Sequence, residues 1–116
     1  MKLKIIYLDD EPALCEMFAD NFASSFVTIL TFTDPEAAIK AINQSKPDLV
    51  FLDYRLPGTT GQDVATRLNP DLPKVLITGD LRVNDMNCFI KIFHKPFDFE
   101  EMEALIHSFL DRKKVA

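Results

Sequence analysis

The sequence predicts a doubly wound α/β sandwich, a parallel sheet with helices on both faces. Three observations lead there. Five short runs rich in β-forming residues alternate with runs whose apolar residues recur at helical spacing. The third of the five, residues 48–52, is apolar on both faces and the fourth, 74–78, reads as buried too, as in strands covered by helices on each side. The length, 116 residues, is that of one domain and leaves no room for a second, so residues 1–116 are read as a single unit.

Each element has its own local cause. Residues 4–8 are a first strand, and Pro12 suits the first turn of the helix that follows, where its missing N–H would be unpaired anyway. Leu14, Phe18 and Phe22, with Cys15 and Met17 beside them, form that helix's apolar stripe. Residues 27–32 are the second strand. Asp34 reads as an N-cap before Pro35, and Ala38, Ile39 and Ile42 are the buried face of the second helix, which Lys46-Pro47 ends. A loop over 54–60 and a short helix over 61–68 precede the fourth strand, and 90–94 is the fifth. The last helix has Asp98 and Glu101 at its cap. Met102, Leu105, Ile106, Phe109 and Leu110 then recur at i, i+3, i+4, i+7 and i+8, with Arg112, Lys113 and Lys114 where the helix dipole favours cations.

Composition narrows the function. Thirteen Lys and Arg against eighteen Asp and Glu give a net charge of −5, a poor footprint for nucleic acid or an anionic membrane. The longest purely apolar runs, 5–8 and 49–52, are too short to span a bilayer, and the apolar stretch after the basic start stops at Asp9-Asp10-Glu11. Two cysteines, Cys15 and Cys88, make no disulfide framework, so the expected setting is the reducing cytoplasm.

In a doubly wound sheet, ligands bind at the carboxyl ends of the strands. The first strand ends in Asp9-Asp10-Glu11, the third in Asp53 and the fourth in Thr78, while Lys95-Pro96 follows the fifth. Carboxylates gathered at one rim repel: a like-charge pair about 4 Å apart costs roughly 4 kcal/mol at an effective dielectric near 20. A cation relieves this, and hard oxygen ligands without His or Cys companions suit Mg²⁺. A neutralised carboxylate beside a lysine and a hydroxyl is also a phosphoryl-transfer site, in which an Asp oxygen is the nucleophile and the cations hold the phosphoryl oxygens. Asp53 is the best nucleophile, standing alone at the end of the central strand; adjacent Asp9 and Asp10 fit holding the ion.

These segments resemble the receiver domain of bacterial two-component response regulators. The matching pieces are Leu8-Asp9-Asp10-Glu11-Pro12, the run Leu52-Asp53-Tyr54-Arg55-Leu56-Pro57-Gly58 with Gly61, Ile77-Thr78-Gly79 and Lys95-Pro96-Phe97. Each is weak alone; all four in order are highly specific and span essentially the whole chain. The resemblance implies a flavodoxin-like three-layer sandwich with five parallel strands in the order 2-1-3-4-5. It implies Asp53 as phosphoacceptor, and Asp10, Asp53 and the backbone carbonyl of Arg55 as direct Mg²⁺ ligands with Asp9 acting through water. Thr78 corresponds to the hydroxyl that moves to the phosphoryl group, and Lys95 to its salt-bridge partner, its bond to Pro96 often cis. The implied partners are a sensor histidine kinase or histidine phosphotransfer protein and a downstream protein, with no nucleic acid or membrane bound by this domain. The implied role is that of a phosphoacceptor assisting its own reaction rather than a turnover enzyme.

Some positions depart from the family. Ile92 stands where an aromatic residue usually lies three before the lysine, and the adjacent Phe93 should point to the opposite face. Cys88-Phe89 replaces a usual Gly-Ala pair. The stretch from Thr78 to Lys95 is short, with only Leu81, Val83 and Met86 as large apolar residues, so the fourth helix is expected to be shortened or irregular. Arg55 and Asp80, each two residues past a site residue, could pair across the pocket mouth and hinder attacking water. Phe97 and Phe99 could shape a docking face, and 112–114 reads as a solvated helix end. Two other readings stay open: a pseudo-receiver that works as an interaction module without phosphorylation, and a haloacid-dehalogenase-type phosphatase. The latter wants Asp-x-Asp after the first strand and a cap domain, and Asp9-Asp10-Glu11 does not supply the motif.

Overall fold

All five residues of Leu49–Asp53 are buried, and so are all five of Lys74–Thr78. Strands sealed on both faces occupy the middle of a parallel sheet, and that is where both lie. The computed structural model describes residues 2–84 and 88–115. Its main sheet has β1 (Leu3–Leu8), β2 (Val27–Phe32), β3 (Leu49–Asp53), β4 (Lys74–Thr78) and β5 (Lys91–His94), with β1 between β2 and β3 and the rest following in order. Every pairing is parallel, so the order is 2-1-3-4-5 as expected. The 54–60 segment is more regular than the expected loop: Arg55–Leu56 pairs antiparallel with Thr59–Thr60 around Gly58, whose φ of +71° is the left-handed conformation glycine adopts without a Cβ penalty.

Helices α1 (Pro12–Phe22) and α4 (Phe99–Val115) cover one face, and α2 (Pro35–Ser45) and α3 (Gly61–Thr66) the other. Side chains alternate along each strand, so one strand feeds two cores. Ile5, Tyr7, Phe51, Ile77 and Phe93 join Phe18, Met102 and Ile106 on the α1/α4 side; Ile6, Leu8, Leu52 and Leu76 join Ile39, Ile42 and Val64 on the other. Each fully buried aromatic contributes about 1.5–3 kcal/mol, which makes the Tyr7–Phe18–Phe51 stack a main anchor of the first core.

The caps fall where expected. Asp34 accepts the Ala37 N–H at 2.9 Å and Asp98 accepts the Glu101 N–H at 3.2 Å. The basic end of α4 is less solvated than expected. Lys113 donates to Asp48 at 2.8 Å, and the same carboxylate oxygen accepts the Lys4 N–H, so the last turn of α4 is tied to the amino ends of β1 and β3.

Between β4 and β5 the described residues, 79–84 and 88–90, form turns and bends and no helix. Met86 lies outside the described residues. What helps cover the second core there is Phe89, only 6% exposed, with Val83 and Ile92 packed beside it. A large side chain in place of a small pair thus supplies cover that the segment has too few apolar residues to supply as a helix. Leu81 is left 75% exposed.

Gly61 packs where no side chain fits. A Cβ there would sit 2.5 Å from the Asp53 carbonyl oxygen and 2.9 Å from Leu76 Cδ1. Because the backbone carbonyl cannot swing away, Gly61→Ala is expected to lower stability in urea denaturation by about 2–3 kcal/mol, the upper part of the overpacking range.

Candidate functional site: an acidic pocket at the strand ends

Parallel strands with β1 inside the order bring the end of β1 beside the end of β3. Asp9, one residue past β1, and Asp53, the last residue of β3, are 0% and 5% exposed. Asp10 is exposed at the rim, and the three carboxylates each offer an oxygen within 4.8 Å of the others. Thr78 closes β4 and is buried, while Lys95 enters just after β5. Its ammonium lies 3.4 Å from Asp9 Oδ2 and 3.4 Å from Asp53 Oδ1. The Lys95-Pro96 peptide bond is cis, as expected. The side chains of Asp53, Thr78, Asp10 and Lys95 open on a cleft of about 770 Å³, whose mouth is lined by Arg55, Asp80 and Arg82.

Electrostatics follow from this crowding. Burial first, and the Asp9 charge second, push the Asp53 carboxyl up to about 7, against the opposing pull of Lys95. Lys95 is held above its ordinary value: burial works against its charge, but the two carboxylates more than offset that. Asp9 meets its own demand within the chain. Oδ1 accepts the Glu11 N–H at 3.0 Å and Oδ2 accepts the Tyr7 hydroxyl at 3.0 Å. Glu11 makes no side-chain cap on α1, so helix capping does not account for the acidic triplet.

Thr78 Oγ1 accepts the Asp80 N–H at 3.0 Å, which fixes the start of the loop after β4. The expected Arg55–Asp80 approach is present at 3.8 Å, but Asp80's closer partner is Arg82, whose Nη2 and Nε lie at 2.9 and 3.1 Å. Those contacts hold the Asp80 carboxyl down to about 2. Sequence reasoning missed Arg82; the Asp-x-Arg spacing was its signal, because the same Asp80 carboxylate also accepts the Arg82 N–H. Tyr7 was read only as a strand residue, although period-two alternation places it on the face of Asp9.

Phe93 lies in the α1/α4 core, stacked 6.5 Å from Phe51, and Ile92 faces the other core, so no aromatic ring stands at position 92 or can reach its face from 93. His94, paired in register with Thr78, instead brings Nε2 within 3.1 Å of the Val83 carbonyl. Phe97 and Phe99 line a small apolar recess of about 230 Å³ with Leu14 and Met17, next to Lys95. Cys15 is buried, its thiol donating to the Asp9 carbonyl at 3.3 Å, and Cys88 is exposed.

A family model described as the response regulator receiver domain matches residues 5–107. The chain belongs to this family of receiver domains. The receiver is 34% identical over 119 residues to the probable transcriptional regulatory protein TcrX of Mycobacterium tuberculosis, covering 96% of this chain and 51% of TcrX. It is 30% identical over 121 residues to the DNA-binding response regulator MtrA of Mycolicibacterium smegmatis, covering 98% of this chain and 53% of MtrA. The receiver therefore spans about half the length of these curated relatives. Its fold matches a CheY-like response regulator receiver domain from Methylobacillus flagellatus with a TM-score of 0.82, at 20% identity over 94% of this chain and 99% of that one. A CheY-like receiver domain protein from Methanospirillum hungatei matches at 0.85, with 19% identity over 98% of each chain.

The raised Asp53 carboxyl sets a pH dependence. Its folded value lies above the ordinary 3.8, so the stability it contributes is full below about pH 4 and is lost as pH rises through about 7. In EDTA, the melting temperature of the wild type should fall by several degrees between pH 5 and 8, and that of Asp53→Asn should stay nearly flat. Calorimetry at four pH values checks this.

Proposed function

We propose that this receiver takes a phosphoryl group onto an oxygen of Asp53 from the phosphohistidine of a sensor kinase or phosphotransfer protein. What supports it most is the placement of Lys95, equidistant at 3.4 Å from Asp9 and Asp53 beside a cleft that Thr78 also lines. In the transfer, the Asp53 oxygen bonds to phosphorus as the phosphorus–nitrogen bond of the donor breaks, and the freed imidazole keeps the electron pair. Charge on the three phosphoryl oxygens then falls to the Lys95 ammonium, already in place, and to the Thr78 hydroxyl after a short turn of its side chain.

Three carboxylates within 4.8 Å, a group that among the described residues includes no His or Cys, suit a hard divalent ion. Asp10, Asp53 and the backbone carbonyl of Arg55 would hold Mg²⁺ directly. Asp9, its oxygens already engaged by Tyr7, Glu11 and Lys95, would act through water. The ion when bound neutralises the crowded oxygens and draws the phosphoryl group toward them.

The added charge, near −2, pulls Thr78 toward residue 53. Because Thr78 Oγ1 anchors the Asp80 N–H, that motion reaches the loop at 79–84 directly. The loop, and the half-buried His94 that touches Val83, would then report phosphorylation in place of an aromatic at position 92. The apolar recess beside Lys95 is the natural seat for the phosphodonor protein, since a donor histidine must approach residue 53 from that rim. Among the described residues no helix is long and apolar enough to cross a membrane, and we place the receiver in the cytoplasm, as a single domain over 1–116.

Intact-mass measurement after acetyl phosphate or phosphoramidate treatment tests the reading. The wild type should gain one PO₃ unit with Mg²⁺ and almost none in EDTA, and Asp53→Ala none in either. An equal gain in Asp53→Ala sinks it. The clamp at the mouth carries its own expectation. Arg82→Ala frees Asp80 from its nearer partner and should speed loss of the phosphoryl group about two- to fivefold, Arg55→Ala less, followed by the decay of the phosphorylated mass. Equal decay in the wild type, both arginine variants and Asp80→Ala would remove the clamp from the account.

A further inference from the structure

Asp9 is fully buried and Asp53 nearly so, and one ammonium serves both. Whatever else satisfies Asp9 therefore decides how much of Lys95 is left for residue 53. The other donor to Asp9 Oδ2 is the hydroxyl of Tyr7, 3.0 Å away and itself wholly buried. The ring of Tyr7 needs no hydroxyl to be where it is. It stacks on Phe18 at 4.2 Å with the planes 20° apart and lies 6.3 Å from Phe51, surroundings that would hold a phenyl ring equally well. A buried hydroxyl is unfavourable unless bonded, and among the described residues this one has Asp9 as its hydrogen-bond partner.

Resting on the functional reading above, we propose that Tyr7 is a positioning residue of the phosphoryl site: its hydroxyl satisfies Asp9 from behind and so leaves Lys95 free to serve residue 53. Two features make the arrangement directional. Tyr7 lies in β1 on its α1/α4 face and Asp9 follows just past the strand's end, so the hydroxyl reaches the carboxylate from the core side while Lys95 reaches it from the pocket side. Asp9 Oδ1 is already taken by the Glu11 N–H, which fixes the carboxylate plane.

Without the hydroxyl, Oδ2 keeps Lys95 alone, and the pair closes on itself. That draws the ammonium away from Asp53 and neutralises the oxygen through which a hydrated divalent ion would be held. Loss of such an outer partner commonly weakens metal binding ten- to a hundredfold.

The test is isothermal titration of Mg²⁺ into the unphosphorylated protein. Tyr7→Phe is expected to bind about tenfold more weakly than the wild type. Phe18→Leu, which disturbs the same stack but keeps the hydroxyl, should lower the melting temperature and leave Mg²⁺ affinity unchanged. In a Lys95→Met background the effect of Tyr7→Phe should disappear, since there is no ammonium left to apportion. Equal affinity in wild type and Tyr7→Phe overturns the role of Tyr7, as does equal weakening in Phe18→Leu, or a Tyr7→Phe effect undiminished by Lys95→Met. A wild type that accepts phosphoryl groups and binds Mg²⁺ while Tyr7→Phe binds equally well overturns this role alone. A wild type that binds no Mg²⁺ overturns the functional reading beneath it.

Discussion

The constraint on which the rest depends is a shortage of positive charge in a buried place. Asp9 and Asp53 bring two negative charges out of water, and Lys95 returns one. At an effective dielectric near 20, each 3.4 Å contact to the ammonium is worth roughly 5 kcal/mol of attraction, and burial and mutual repulsion of the carboxylates consume much of it. The residue of that imbalance appears as a carboxyl at position 53 that resists ionising. The proposed divalent ion and phosphoryl group would each alter that balance in turn.

The fold makes the shortage possible. Threading β1 between β2 and β3 sets two strand ends side by side, where the sequence happens to place acids, and the α1/α4 core presses from beneath through the Tyr7–Phe18–Phe51 stack. Gly61 contributes by absence: its missing side chain lets the backbone after the Arg55–Thr60 ladder come close under the Asp53 carbonyl. Rigidity below and an open cleft above suit the proposed phosphoryl transfer, because the reacting oxygens would have to be held while the incoming group arrives.

The other side of the sheet is built more sparingly. Phe89, Val83 and Ile92 help cover the second core where a helix would otherwise lie, and the loop at 79–84 is held largely by polar contacts, among them Asp80 to Thr78, Val83 to His94, and Arg82 back to Asp80. A loop held by a few polar contacts moves at lower cost than a packed helix. The relatives that match this receiver carry roughly as much chain again.

Much of this was legible in the residues alone. Alternating β and α patterns, doubly apolar central runs and capping signals at Asp34 and Asp98 express local physics, and the structure places them within a residue or two of expectation. The placement of Asp53, Thr78 and Lys95 at strand ends was legible for the same reason: a side chain's position along a strand is set by the strand. What tertiary structure alone decided were the contacts between elements distant in sequence or turned by a loop. They include the equal sharing of Lys95, the capture of Asp80 by Arg82 ahead of Arg55, the tie of Lys113 to Asp48, and Phe89 standing in for a helix. Local pattern fixes which way a side chain faces; which neighbour it meets depends on distances that exist only once the sheet is closed by its helices.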